Sequence, residues 1–280
     1  MRRILALLSL LVSTSIAGAQ ATTAPAPGAG RVIGEDYFFN HQVRNGKQFH
    51  YIWDDATING YSKFGAVWKQ YGATLASLPT SPTRADLDHF SVYVIVNPST
   101  VKNAADHQPN FMTSDAADVI AGWVHDGGVL AMFANDKNNC EIPHFNILSQ
   151  RFGITFNNDL RNEVPSARDR KPGCFDVSTY QDQPLFNGVT QFYVKEICTL
   201  EVKDPAQALL VADNEQHTGK DIIIATAHYG KGFVFAIGDP WVYNEYIDVK
   251  STPGTNIQNR KAAENLVQWL LSQSSLPAAK

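Results

Sequence analysis

Two apolar patterns alternate along this chain: short runs with no polar break, and stripes spaced at the helical period. Phe90-Ser91-Val92-Tyr93-Val94-Ile95-Val96 is β-branched and aromatic and stops at Asn97-Pro98, which predicts a buried strand followed by a loop. Ser114-Asp115-Ala116 opens a helix whose apolar positions Val119, Ile120, Trp123 and Val124 share one face, and Gly127-Gly128 ends it. Val129-Leu130-Ala131-Met132-Phe133-Ala134 then reads as a second buried strand. Strand, helix and strand with short joints form a βαβ unit with parallel strands and a right-handed crossover.

The same pattern returns further on. Ile147, Leu148 and Phe152 predict a helix over 145–152, followed after Gly153 by a strand at Ile154-Thr155-Phe156. Residues 222–227 and 233–237 flank His228-Tyr229-Gly230-Lys231-Gly232 as a hairpin. An earlier helix is expected over 62–71, with Phe64, Val67 and Trp68 inward, and a closing one over 260–272, striped by Ala262, Leu266, Trp269 and Leu270. The sum is an α/β fold, a sheet covered by helices. In such sheets ligands gather beyond the carboxyl ends of the strands, so function is sought in residues just after each strand.

The N-terminus changes the setting. Arg2 and Arg3 precede an apolar run over 4–12 and small residues ending Ala17-Gly18-Ala19, the pattern of a signal peptide over 1–19, too short for a membrane span. Export to a periplasm or beyond the cell is expected. Residues 20–31, rich in Ala, Thr, Pro and Gly, read as a flexible lead-in, 32–273 as one α/β domain and 274–280 as a tail. The formal net charge of −4 becomes more negative once Arg2 and Arg3 leave with the leader, which disfavours nucleic acid as a partner. Cys140, Cys174 and Cys198 stand far apart with no C-x-x-C pair; one disulfide with one free thiol is compatible with an oxidising compartment, and spacing does not choose the pair.

Three segments concentrate polar and aromatic chemistry. Residues 35–55, which open on Glu35-Asp36 and read as the first loop region, carry Asn40, His50 and Trp53. Residues 135–144, directly behind a strand, carry Asp136, Asn139, Cys140, Glu141 and His144. Residues 238–246, directly behind another, carry Asp239, Trp241, Tyr243, Asn244 and Glu245. Flat aromatics beside Asn, Asp and Glu suit a hydroxyl-rich sugar. The competing account is that Asp and Asn cap turns while Trp241 and Tyr243 fill the core. Glu141 and His144, three apart, could hold a divalent metal with Asp136 and His50, although the paired-histidine zinc motif is absent. No G-x-S-x-G or G-x-C-x-G elbow occurs, which disfavours an ordinary serine hydrolase, and Gly28-Ala29-Gly30 with Gly34 misses the dinucleotide fingerprint.

Residues 34–40 (Gly-Glu-Asp-Tyr-Phe-Phe-Asn), Asn158-Asp159-Leu160-Arg161-Asn162 and 238–246 (Gly-Asp-Pro-Trp-Val-Tyr-Asn-Glu-Tyr) resemble the glutamine-amidotransferase-like, DUF4350-type domain found fused to or beside bacterial unsaturated rhamnogalacturonyl hydrolases. The resemblance spans 32–271. It implies a flavodoxin-like, class I glutamine-amidotransferase-like three-layer sandwich with a mostly parallel sheet. It further implies a place in the breakdown of uronate-containing, pectin-type polysaccharides, with an oligosaccharide ligand and such a hydrolase as partner. It does not imply amidotransferase activity, because Ala134-Asn135-Asp136 follows the strand where a cysteine nucleophile would stand.

Two functions follow. One is a hydrolase or lyase using Asp136, Glu141, Asp239 and Glu245 as acid and base, with Asn40, His50, Trp53, Asn139, His144, Arg161, Trp241, Tyr243 and Asn244 binding substrate and no cofactor beyond a divalent metal. The other is a non-catalytic sugar-binding partner of a separate glycosidase, stacking on Trp53, Trp241 and Tyr243. Titratable groups behind the strands favour the enzyme and the missing triad favours the binder; the sequence leans to the enzyme, with the binder as the alternative. Convergence of Asp136, His144 and Asp239 in one pocket would strengthen the enzyme reading, and scattering them over separate surfaces would sink it.

Overall fold

The computed structural model describes residues 25–104, 108–212 and 221–276. The expected leader (1–19) lies outside the described residues, as do His107, His217 and the end of the tail. In chain order the strands are β1 (Val32–Asp36), the small hairpin β2 (Val43–Arg44) and β3 (Lys47–Gln48), β4 (Thr74–Leu78), β5 (Val92–Val96), β6 (Val129–Phe133), β7 (Ile154–Phe156), β8 (Cys174–Asp176), β9 (Gln191–Tyr193), β10 (Leu200–Val202), β11 (Ala206–Ala212), β12 (Asp221–Tyr229) and β13 (Gly232–Ile237). The helices are α1 (Ser62–Gln70), α2 (Arg84–Leu87), α3 (Ser114–His125), α4 (Ile142–Ser149) and α5 (Asn259–Gln273).

Nine strands form one sheet in the order β4-β1-β5-β6-β13-β12-β10-β7, with β11 paired to β12. The first five are mutually parallel, and the rest extend the sheet by antiparallel pairing. β5, α3 and β6 make the expected βαβ unit, with Val92 opposite Val129 and Val96 opposite Phe133. Gly127, at φ 124°, ends α3 in a conformation that costs a residue with a Cβ.

Alternation along the buried strands divides the interior into two cores. Val92, Val94, Val96, Phe133, Phe235 and Ile237 face α1 and α5, which contribute Phe64, Trp68, Leu266 and Leu270. Tyr93, Ile95, Leu130, Met132 and Ala236 face α3 and α4, which contribute Ile120, Trp123, Phe145 and Leu148. Helix, sheet and helix make the three-layer, flavodoxin-like α/β fold.

Several expectations change. Glu35 and Asp36, read as part of a loop, end strand β1 and are almost fully buried, at 4% and 2% exposure. β7 does not continue the parallel series; it pairs antiparallel with β10 at the far edge. Residues 28–31 of the lead-in are tied down: the Gly28 N–H donates to the Tyr71 carbonyl (2.8 Å), and the Arg31 guanidinium reaches the Leu276 carbonyl. All three cysteines are free thiols.

Candidate functional site

The parallel strands end along one edge, and the chain folds back over it. At the end of β1 the buried Asp36 carboxylate accepts from the backbone N–H of Phe38 (3.3 Å), Phe39 (3.0 Å) and Asn40 (3.1 Å) and from the Tyr93 hydroxyl (2.9 Å). Burial raises its pKa to about 6 against the pull of those donors. This clamp turns the chain sharply and carries segment 37–61 across the strand ends. Asn40 then donates to the His50 carbonyl (2.8 Å) and accepts from Gln42 Nε2 (3.2 Å), which also reaches Ser99 Oγ (3.2 Å). The Asp55 carboxylate holds the backbone N–H of His50 (3.0 Å) and of Thr57 (2.8 Å). His50 and Tyr51 take left-handed conformations, φ 78° and 55°, at this fold-back. Consecutive non-glycine residues there store backbone strain, a common mark of functional sites.

Between this segment and the ends of β5 and β6 lies a cavity of about 220 Å³. Six carboxamides line it: Gln42, Asn59, Asn97, Asn103, Asn135 and Asn139. Phe49, His50, Tyr51 and Trp241 supply aromatic wall, and Arg44 the one full charge. Asn97 follows β5 directly, with φ 47° and no exposed surface. Neither its Oδ1 nor its Nδ2 has a hydrogen-bond partner, and His50 Nδ1 and Trp241 Nε1 are likewise unpartnered. Buried polar atoms are nearly always paired, so these atoms mark the wall where a water or a ligand would complete the hydrogen bonding. Burial lowers the His50 pKa to about 4, leaving it neutral around pH 7.

Asp136 borders the cavity through its neighbours. Its Oδ1 accepts from Asn139 Nδ2 (2.8 Å), and its backbone N–H donates to Asn135 Oδ1 (2.9 Å). Burial raises its pKa, opposed by the Asn139 bond and Lys195. Lys195 Nζ lies 4.1 Å from the centre of the Trp241 ring and pairs with Glu196 at 3.0 Å.

The other predicted residues do not converge here. Asp239 is 1% exposed and holds the backbone N–H of Trp241 (2.6 Å) and Lys195 (3.2 Å), so its carboxylate shapes the Trp241 wall without facing the cavity. Its pKa rises to about 7 through burial. Glu141 and His144 pair with each other at 2.7 Å at the start of α4, where His144 stacks on Phe111 at 4.4 Å, and neither lines the cavity. The Asp136, Glu141, His144 and His50 metal set is therefore not assembled, and among the described residues no group of three or more His, Cys, Asp or Glu converges on a metal position. Trp53 is buried between β1 and α1, its indole donating to the Ala76 carbonyl (3.2 Å) at the β4 edge. Tyr243 is a core residue stacked on Phe64 at 4.7 Å. Asn244 accepts from the Tyr246 N–H and lines a separate cleft beside Ile58 and Lys63. Arg161 pairs with Asp221 at 2.8 Å, both well buried. The side chain of Glu245 lies outside the described set. Of the predicted residues His50, Asn139 and Trp241 line the cavity, Asn40 props it and Asp136 borders it.

Comparison with solved structures finds the same architecture in proteins of low sequence identity. The mmIFT52 N-terminal domain superposes with a TM-score of 0.63 at 17% identity, covering 85% of this chain and 97% of that one. Cytoplasmic protein STM1381 from Salmonella typhimurium LT2 gives 0.54 at 16% identity, covering 88% and 100%. A ThuA-like protein from Bacteroides uniformis gives 0.50 at 13% identity, covering 93% and 99%. These likenesses carry the fold alone. No family model and no curated protein matches the sequence.

Cysteine chemistry does not supply a nucleophile. Cys140 and Cys198 are buried, and desolvation pushes both thiols well above the ordinary range; Cys174, half-buried, rises to about 11. A nucleophilic cysteine needs the opposite shift. What the cavity offers is a dense set of neutral donors and acceptors beside flat rings, the chemistry that recognises hydroxyl groups.

Proposed function

We propose that this chain is a sugar-binding protein serving the breakdown of uronate-containing polysaccharides outside the cytoplasm, alongside a separate hydrolase. The observation that carries the reading is Asn97: a fully buried carboxamide with both polar atoms free, facing a cavity whose other polar groups are mostly carboxamides. One carboxamide bonds two neighbouring hydroxyls, donating to one and accepting from the other. The partly exposed Trp241 ring offers a surface for the apolar side of a sugar, and its Nε1 adds a donor without a partner. Asp239 and Glu141, two of the four carboxylates expected to act as acid and base, instead hold backbone amides or pair elsewhere, which favours binding over catalysis.

One observation keeps a second reading, a hydrolase or lyase: Asp136, its pKa raised by burial, stands beside the cavity. Incubation with rhamnogalacturonan and glucuronan oligosaccharides separates the two, with mass spectrometry reporting turnover and thermal unfolding reporting binding. Sugar-dependent stabilisation without a mass change is expected. Product formation lost in Asp136→Asn would establish the enzyme instead, and neither response would overturn both.

A further inference from the structure

Among the described residues the exposed large hydrophobics are Val43, Ile58 and Val101, at 37%, 63% and 61% exposure. All three sit on loops that also line the cavity: Val43 between Gln42 and Arg44, Ile58 beside Asn59, and Val101 two residues from Asn103. Cations accompany them. Arg44, Lys47, Lys102 and Lys137 are exposed on segments 40–51, 97–104 and 135–140. On those segments and on 56–60 the carboxylate is Asp136, itself 7% exposed; of the intervening pair, Asp55 is buried on backbone amides and the exposed Asp54 lines a different cleft beside Trp53 and Lys69. The rim is thus basic and aliphatic on a chain of net charge −4.

We infer that this rim seats the protein on the surface of an anionic lipid bilayer. Aliphatic side chains on separate loop tips, two of them adjacent in sequence to a cation, match the boundary between headgroups and acyl chains, where apolar tips insert and Lys and Arg meet anionic headgroups. A protein partner fits less well. Protein interfaces are depleted in Lys, and their energetic centres favour Trp, Tyr and Arg over Val. Nor is a flat contiguous patch required, because the bilayer accepts each tip separately. The inference stands apart from the sugar-binding reading, since it rests on the rim and not on the cavity wall.

The test is sedimentation of the full chain with phosphatidylcholine vesicles and with vesicles that also contain phosphatidylglycerol, at low and high salt. Two variants are compared with wild type, Ile58→Ser with Val101→Ser, and Lys47→Glu with Lys102→Glu. All four sites are exposed, and circular dichroism confirms folding. The apolar residues 4–12 are common to every form, so their contribution cancels in the comparison. The expected result is preferential binding to the anionic vesicles, weakened by salt and reduced on the order of tenfold or more in each variant. Absence of binding, equal binding to both vesicles, or unchanged binding in both variants overturns it. So does a wild type that ignores vesicles but self-associates in sedimentation while the Ile58→Ser, Val101→Ser form stays monomeric, which assigns the face to a second copy of the chain.

Discussion

Glu35 gives the most quantitative expectation. It lies at the next-to-last position of β1, 4% exposed, accepts from the Trp53 backbone N–H at 2.6 Å, and burial raises its pKa from an ordinary 4.5 to about 9. The folded chain therefore keeps this proton up to about pH 9, whereas the unfolded chain releases it near pH 4.5. Between those values unfolding releases one proton, so each pH unit upward lowers the unfolding free energy by about 1.4 kcal/mol. The stabilisation is complete below pH 4.5 and is lost as pH rises through 9. For a chain of this size the slope corresponds to roughly 3 °C of melting temperature per pH unit. Glu35→Gln keeps an oxygen for the Trp53 N–H and has no proton to lose. Asp36 and Asp239, raised to about 6 and 7, add slope of the same sign and are shared by both proteins. Thermal unfolding from pH 5.5 to 8.5 should show the stability of wild type relative to Glu35→Gln falling steadily, by about 4 kcal/mol of unfolding free energy in total. Parallel profiles for the two proteins would refute a protonated Glu35.

Three further outcomes follow from the same structure. Asn97→Gly, which suits the positive φ, should change folding stability by less than about 1 kcal/mol, because neither amide atom is bonded in the free protein, yet weaken sugar binding by about 1–3 kcal/mol in calorimetric titration. Arg161→Gln, which leaves Asp221 buried without its cation, should cost about 3 kcal/mol in denaturant unfolding while sugar affinity is unchanged, since Arg161 is structural. Titration with Ellman's reagent at neutral pH should find all three thiols slow in the native protein and fast after unfolding, because burial holds each above its ordinary pKa.

The central sheet was legible because its strands carry unbroken apolar runs that no polar face interrupts, and α1, α3 and α5 because their apolar stripes keep the helical period, with glycine stops after α1 and α3. β1 was missed because Glu35 and Asp36 look like loop residues; only tertiary burial and the Asp36 clamp make them a strand end. β10 and β11 are short or half-exposed and take their form from pairing with β12 and not from their own pattern. At the site, position behind the strands points to Asn139 and Trp241, whereas the more conspicuous carboxylates Asp36 and Asp239 serve as backbone clamps. The deciding residues were the amides. Asn135 stands two residues after β6, as Asp239 does after β13, and Asn97 one residue after β5; position just behind a parallel strand is the signal all three share. Gln42, Arg44, Phe49, Tyr51 and Asn59 come to the cavity only through the fold-back of 37–61, which no local spacing announces.

The most direct test of the account is a nitrogen–proton correlation titration of the isotopically labelled protein with a uronate-bearing oligosaccharide. Saturable shifts of the Trp241 indole N–H and the Asn97 side-chain amide, absent for the sugar added to Asn97→Gly, are the predicted result. An unmoved Trp241 and Asn97 at saturating sugar, or shifts confined to the region of Trp53 and Asn244, would contradict it.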